Sequence, residues 1–133
     1  MKKIILMFLM VFTITMASAQ TYYYTATSFA CKVTNSYGNW SNWSNWESCN
    51  ILITIDFTND VVTIYSNKTQ VYSITRYVRN YTDSSGGSQL EFKFIDQDYD
   101  RGTMRLRIER NGNSQMYIDF ANAMWVYNVR KRY

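Results

Sequence analysis

The chain of 133 residues contains no histidine and no proline. Without histidine it lacks the most common general base, the histidine-dependent serine and cysteine nucleophile pairs, and every zinc site with an imidazole ligand. Charged residues make up only 18% of the chain, and 10 of them are acidic. Because an enzyme would have to rely on carboxylate, lysine or tyrosine chemistry, we predict a non-enzymatic protein with no catalytic residues, no cofactor and no metal.

Aromatic residues are plentiful. The sequence has 12 tyrosines, 7 phenylalanines and 4 tryptophans, and 47% of its residues are hydrophobic. A disordered chain carries far fewer such residues, and this length suits one domain with a packed core. We therefore expect a single globular domain.

The N-terminus has the pattern of a secretory signal peptide. The basic pair Lys2-Lys3 precedes the apolar run Ile4–Met16, and the small residues Ala17–Ala19 follow. This run is shorter than the roughly 20 residues that a membrane-spanning helix needs. We predict a signal peptide at residues 1–19, a mature domain at residues 20–133 without a transmembrane span, and a periplasmic or extracellular location. An uncleaved N-terminal anchor is the alternative.

The net charge of the mature chain is small. The full sequence has a formal net charge of +4, but two of its lysines belong to the leader. A dense basic patch, as nucleic-acid binding requires, is not evident in the remainder. We therefore expect no nucleic-acid partner, and consider a carbohydrate, a lipid or an envelope protein instead.

Two cysteines, Cys31 and Cys49, lie in the part of the chain that we expect to be exported. Thiols in oxidising compartments are usually paired, so we predict one disulfide between them. The alternative is a reactive thiol pair, although the wide spacing is unlike that of a redox C-x-x-C motif.

Short segments with alternating apolar and polar residues fill the rest of the chain, a pattern typical of half-buried antiparallel strands. We predict eight strands, at Tyr22–Val33, Ile51–Phe57, Val61–Ser66, Gln70–Tyr77, Gln89–Asp96, Thr103–Glu109, Gln115–Phe120 and Met124–Val129. The fold class is therefore all-β, a single antiparallel domain. Its architecture is either a small lipocalin-like barrel or a β-sandwich, which periodicity does not separate.

The segment Asn39–Cys49 repeats the triplet Asn-Trp-Ser. A backbone with three residues per turn would align its tryptophan rings on one side. One interpretation is a platform that stacks a sugar or another flat ligand; the other is a loop whose rings pack on the strands or interleave with Arg76 and Arg79 through cation-π contacts. The candidate ligand-binding residues are Trp40, Trp43 and Trp46.

The succession WSNWE, ILITIDF, VTIYS, QVYSI, LEFKFID, QMYIDF and MWVYNV spans nearly the whole mature chain. It resembles an uncharacterised family of small exported proteins of Gram-negative bacteria. The resemblance implies an envelope location and an all-β domain, and it supplies no activity and no site residues.

Three carboxylates, Asp96, Asp98 and Asp100, alternate in a predicted turn. Such an arrangement can hold a hard cation, but Arg101 and Arg107 replace the glycine and glutamate that an EF-hand requires. We therefore interpret the segment as a solvated hairpin turn.

Arginines and carboxylates also alternate on the polar faces of the late strands. Arg105, Arg107 and Arg110 are predicted to pair with Glu109 and Asp119 across strands, with an anion-binding strip as the alternative.

These patterns favour a small exported non-enzymatic binding or interaction module of the bacterial envelope, which recognises a glycan or an apolar ligand through its Trp-rich segment. One alternative is a carboxylate-dependent glycan-acting enzyme, which would need two carboxyl groups about 5 to 10 Å apart in a cleft. Asp56 and Asp119 are a nominal pair, but no pattern sets their separation. The other alternative is a structural or inhibitory envelope protein.

Overall fold

The computed structural model describes residues 21–111 and 113–132. The predicted signal peptide, residues 1–19, lies outside these ranges. The described residues form eight strands: β1 Thr21–Val33, β2 Glu47–Asp56, β3 Val61–Tyr65, β4 Gln70–Thr82, β5 Ser88–Asp96, β6 Arg101–Ile108, β7 Ser114–Asp119 and β8 Ala123–Arg132. All eight predicted strands are present, and the largest differences are the earlier start of β2 and the later end of β4.

The strands form a closed antiparallel barrel in which each strand pairs with the next and β8 pairs with β1. Tyr24, for example, lies opposite Ile53 of β2 on one side and Lys131 of β8 on the other. Closure leaves no unpaired sheet edge among the eight described strands, whereas an open sandwich would retain such edges. The barrel alternative is thus confirmed, and the sandwich alternative is excluded.

The inner faces of the strands supply the core. Alternate residues point inward, as in Ile53 and Ile55 of β2, Phe92 and Phe94 of β5, and Met116 of β7, and each is almost inaccessible to solvent. An eight-stranded barrel has an interior that side chains can fill. Much of this lumen is therefore packed core.

One end of the barrel, here called the closed end, is plugged by aromatic rings. Phe57, just after β2, packs 5.7 Å from Tyr22 and 6.2 Å from Tyr77, centroid to centroid. A bulge in β4 shifts the register before Tyr77, so that this residue pairs with Phe92. Its hydroxyl donates a hydrogen bond to Asp60 Oδ1 at 2.7 Å. The β3–β4, β5–β6 and β7–β8 connections lie at the opposite end of the barrel, here called the open end.

Gly102 marks a place where strands approach too closely for a side chain. A Cβ atom at this position would lie 2.5 Å from the carbonyl oxygen of Asp119 and 2.5 Å from Cζ of Phe94. The ring of Phe94, which lies opposite Gly102 in the β5–β6 register, occupies the space of the missing side chain. Glycine is therefore required for the packing of Phe94.

Among the described residues, no helix has the length and apolar character to cross a membrane.

Candidate functional site

A cavity of about 1010 Å³ opens at the open end of the barrel, and we call it the cup. Its lining combines an apolar wall with a polar rim. The wall includes Phe29, Cys49, Ile51, Tyr72, Ile118, Phe120, Trp125 and Tyr127. The rim includes Asn50, Ser66, Asn67, Lys68, Gln70, Asp96, Gln97 and Asp98. A concave site with an apolar wall and a few convergent polar groups is the usual form of a small-molecule site.

Aromatic rings hold the wall of the cup in place. Phe94 packs edge to face on Tyr72, at 4.9 Å, and on Phe120, at 5.3 Å; Phe120 then contacts Trp125 at 6.1 Å. Edge-to-face pairs at these distances are favourable beyond the area that they bury. The rings of Phe120 and Trp125 are therefore supported from below while one side of each borders the cavity.

A bulge in β1, between Ala26 and Ser28, shifts the register of that strand. Beyond it Phe29 lies in the cup, where its ring is 6.1 Å from that of Tyr127. A bulge inserts one residue and so reverses which side chains face inward. Ala30 consequently lies on the outer wall, because its neighbour Phe29 faces the lumen.

Gln70 links the wall of the cup to its rim. Its Oε1 accepts a hydrogen bond from the Tyr72 hydroxyl at 2.6 Å, and its Nε2 donates to Ser66 Oγ at 3.0 Å. The same side chain is hydrogen-bonded to Tyr127. The polar groups that meet at Gln70 are thus an amide, two phenols and the Ser66 hydroxyl, all uncharged at neutral pH.

Burial raises the pKa of three tyrosines, Tyr24, Tyr72 and Tyr127, and it raises the pKa of Tyr77 to about 12 with help from the hydrogen bond to Asp60 and its charge. Above pH 10 these groups ionise in the unfolded chain while the folded chain still holds their protons. Unfolding then releases protons, so the free energy of unfolding falls as the pH rises. We expect a steep loss of stability from about pH 10 upward, measured as the urea midpoint against pH.

Tyr72→Phe and Tyr77→Phe should each make this loss shallower, since each removes one group with a raised pKa. A urea midpoint that does not fall from pH 9 to pH 12 would contradict the assignment.

The two cysteines are free, and the predicted Cys31–Cys49 disulfide is not formed. Cys49 Sγ contacts the carbonyl oxygen of Ala26 at 3.5 Å, whereas Cys31 lies further along β1, opposite Trp125. Five residues of strand span roughly 15 Å, and a disulfide needs its Cα atoms within about 7 Å. The prediction fails because sequence spacing does not reveal the register of β1 and β2. Cys49 instead lines the cup, and burial raises the pKa of its thiol.

One of the three carboxylates at the β5–β6 turn, Asp96, caps the turn itself. Asp96 Oδ1 accepts hydrogen bonds from the backbone N–H groups of Asp98 and Asp100, both at 2.9 Å, and Tyr99 has a positive φ of 65°. Within residues 21–111 and 113–132, no group of three or more cysteine or carboxylate side chains could hold a metal ion. This segment forms the hairpin turn between β5 and β6.

Asp56 and Asp119 do not form a pair. Asp56 ends β2 at the closed end, where its carboxylate accepts hydrogen bonds from the backbone of Thr58 and Asn59. Hydrogen bonds from Asn59 lower the pKa of Asp56. Asp119 ends β7 at the open end. The nominal carboxylate pair is thus separated by the length of the barrel.

One predicted cross-strand charge pair, Arg105 with Asp119, is present on the outer wall, and Arg107 pairs with Glu109 along its own segment. Arg105 Nε lies 3.0 Å from Asp119 Oδ2, and Arg107 bridges Glu109 at 3.0 Å and Asp83 at 3.3 Å. Hydrogen bonds from Ser85 and Gly87, with a further one from Arg107, lower the pKa of Asp83 to about 2. These arginines therefore already have anionic partners.

The Trp-rich segment runs beside β1 and is held there by its serines. Ser41 N–H donates to the carbonyl of Val33, and Ser41 Oγ accepts from Val33 N–H. Ser44 makes the same two bonds with Cys31. Each serine hydroxyl oxygen thus accepts a hydrogen bond from an N–H group of β1. In a regular sheet, a carbonyl oxygen of the neighbouring strand would accept that bond. The contact recurs after two residues of β1 and after three residues of the Trp-rich segment. A serine is therefore required at every third position of the segment.

The three tryptophan rings lie along the outer wall, outside the cup, and stay partly exposed, at 40%, 41% and 49% for Trp40, Trp43 and Trp46. The Lys32 ammonium lies 5.4 Å from the ring centroid of Trp40 and 4.8 Å from that of Trp43. The interleaved cation is therefore Lys32, not the predicted Arg76 or Arg79. The rings lie on the wall beside a cation, as the second interpretation expects, and they remain accessible to solvent, so the platform interpretation stays a prediction.

A smaller cavity of about 190 Å³ lies between Trp43 and Trp46, and we call it the slot. Ala30 and Val126, which are almost inaccessible to solvent, lie beneath it. Ser44, Gln115 and Tyr117 complete its lining. The slot and the cup have no lining residue in common, and the barrel wall lies between them.

Sequence reasoning did not identify the cup. Alternation places Trp125 and Tyr127 on one face of the last strand, but it does not show which end of a barrel is open. The rim residues, such as Asn50 and Gln70, carry no motif at all. Only strand closure brings these distant residues together.

Comparisons of the chain with models of protein families, with curated proteins and with solved structures gave no match.

Proposed function

We propose that this protein is a non-enzymatic binding protein that holds a small, uncharged, amphipathic molecule in the cup. The observation that carries the proposal is the cup itself, about 1010 Å³ in volume, with an aromatic wall and a polar rim. Ligand sites in proteins commonly measure about 300 to 1,000 Å³. The cup therefore has room for a ligand of the size of a typical small organic molecule.

The distribution of charge in the cup supports an uncharged ligand. Of the ionised residues of the lining, Lys68 and Asp98 lie in the connections at the rim. The third, Asp96, ends β5, where its carboxylate caps the following turn. The polar groups of Gln70, Tyr72 and Tyr127, which hydrogen-bond to one another, are uncharged. A charged group placed on the aromatic wall would lose its hydration without gaining a partner. A ligand with an apolar part against the aromatic wall and a hydroxyl, carbonyl or amide group near Gln70 would match both the wall and the polar groups.

The arrangement of carboxylates favours binding over glycan hydrolysis. Asp96 and Asp98 both border the cup, but they belong to one turn and so approach a ligand from the same side. Glycoside hydrolysis requires two carboxyl groups that flank the scissile bond. In addition, Oδ1 of Asp96 already accepts a backbone hydrogen bond within its own turn.

We further propose that the protein works outside the cytoplasm, as a module of the bacterial envelope. The leader at residues 1–19 supports this location.

The two cysteines give a direct test of the cup. With Cys31→Ser, Cys49 is the remaining thiol and lies in the cup wall. Alkylation of Cys49 with a bulky maleimide at mildly alkaline pH should fill the cup and weaken binding of the neutral dye N-phenyl-1-naphthylamine. We expect a loss of roughly tenfold or more in affinity, measured by fluorescence titration.

The matched control carries Cys31→Ser, Cys49→Ser and Tyr23→Cys, and its cysteine stands at a half-exposed position outside the cup lining. This adduct should bind the dye as the unmodified protein does. Circular dichroism checks that both adducts keep the barrel. Undiminished dye binding by a folded protein that is fully alkylated at Cys49 would exclude the cup as the binding site.

A further inference from the structure

The slot resembles a neighbouring position on the outer wall that the side chain of Lys32 occupies. Lys32 lies over the rings of Trp40 and Trp43, two tryptophans that are three residues apart. Trp43 and Trp46 have the same spacing, and the β1 residue beneath them is Ala30, two residues before Lys32 and on the same face of the strand. The methyl group of Ala30 is too short to reach between the rings. The position that lysine fills in the first pair is therefore open in the second.

We propose that the slot binds one sugar ring of an uncharged carbohydrate, at a site separate from the cup. Indole faces stack well on the C–H groups of a pyranose, and Trp43 and Trp46 border the slot from two sides. Its volume, about 190 Å³, suits a single hexose ring. Both rings are already held by the segment that Ser41 and Ser44 fix to β1, so little ordering is needed on binding.

The polar edge of the slot offers hydrogen bonds that a sugar hydroxyl can complete. Gln115 uses one Nε2 hydrogen on Asn128 Oδ1 and accepts the hydroxyl proton of Tyr117 at Oε1. An amide nitrogen has two hydrogens and a phenol oxygen can also accept. One donor on Gln115 and one acceptor on Tyr117 thus remain for a ligand. A hydroxyl can serve both, because it donates and accepts.

The charges around the slot disfavour a cation as its occupant. Lys32 lies over Trp43, one of the two rings that border the slot, and the Arg105 guanidinium is 4.3 Å from the ring centroid of Tyr117. A further cation placed between them would be repelled by both. A purely apolar group, in turn, would cover the polar edge without hydrogen-bonding to it.

The four tryptophans allow the slot and the cup to be observed separately. Trp43 and Trp46 line the slot, Trp125 lines the cup, and Trp40 lines neither. The probes are the neutral tetrasaccharides of β-1,4-glucose, β-1,3-glucose and β-1,4-N-acetylglucosamine. In 1H–15N spectra of the labelled protein, we expect at least one of them to shift the indole resonances of Trp43 and Trp46 and to leave that of Trp125 in place.

Ala30→Lys is the decisive variant, since its side chain should enter the slot as Lys32 enters the neighbouring pair. We expect it to fold and to weaken saccharide binding by roughly tenfold or more. Trp46→Ala should have the same effect on binding and serves if Ala30→Lys does not fold. Trp40→Ala is the matched control, because it removes a tryptophan outside the slot and should retain binding.

Unshifted Trp43 and Trp46 resonances with all three tetrasaccharides would overturn the proposal, and so would shifts that persist in folded Ala30→Lys. A shift produced by tetramethylammonium but by none of the saccharides would identify a cation site instead. Each outcome is independent of dye binding in the cup, which Trp125 reports.

Discussion

Replacing Phe94 with alanine is expected to lower the free energy of unfolding by about 3 to 5 kcal/mol, the usual loss for a buried phenylalanine. Phe94 is 1% exposed and packs on Tyr72 and Phe120 within 5.3 Å. Its removal leaves a cavity between β4 and β6 and withdraws the support beneath the wall of the cup. The midpoint and slope of urea unfolding measure the loss.

Tyr65→Ala is the control for this prediction, because Tyr65 is an aromatic residue with 49% exposure. It should change the free energy of unfolding by no more than about 1 kcal/mol. If Phe94→Ala proved no more destabilising than Tyr65→Ala, Phe94 would not be a central residue of the core.

Gly102→Ala is expected to destabilise the barrel by about 3 kcal/mol, at the upper end of the usual range for overpacking. The added Cβ would lie 2.5 Å from two atoms, the carbonyl oxygen of Asp119 and Cζ of Phe94. The ring can shift, but the carbonyl belongs to the paired backbone of β7. Thermal and urea unfolding should both report the loss.

Two further variants test where this loss comes from. Gly38→Ala places a Cβ where no atom lies within 4 Å, but at a φ of +82°, so its cost of about 1 to 2 kcal/mol is a backbone cost. Gly102 has no positive φ, and its loss should therefore come from the two close contacts alone. Gly102→Ala combined with Phe94→Leu relieves the contact with the ring and leaves the one with Asp119. If the combined variant were no less stable than Phe94→Leu alone, the contact with the Asp119 carbonyl would not contribute to the loss of stability.

The strands could be predicted where one face is buried without interruption. Ile51, Ile53 and Ile55 share one face of β2, with Leu52 and Thr54 on the other, and the structure places Ile53 and Ile55 in the core. The later part of β4 could not be predicted, because bulges before Arg76 and Arg79 interrupt the alternation. A periodic pattern indicates a strand only while the pairing stays regular.

The candidate sites depend on relations that a single segment does not contain. The cup joins Phe29 of β1 to Phe120 and Trp125 near the other end of the chain, so it follows from closure of the barrel. The partner of the tryptophan rings is Lys32, because the segment turns back along β1 instead of reaching Arg76 or Arg79 on β4. The repeat predicts rings on one side, but the register decides which cation they meet.

The serine contacts couple two different periods, three residues in the Trp-rich segment and two in β1. Insertions or deletions in this surface therefore preserve it only in matched units, one Asn-Trp-Ser triplet together with two residues of β1. A change of one or two residues in the segment alone would place tryptophan or asparagine where Ser44 now meets Cys31. Homologous chains that retain this surface should differ in length by whole triplets, so that the number of tryptophans and the length of β1 vary together.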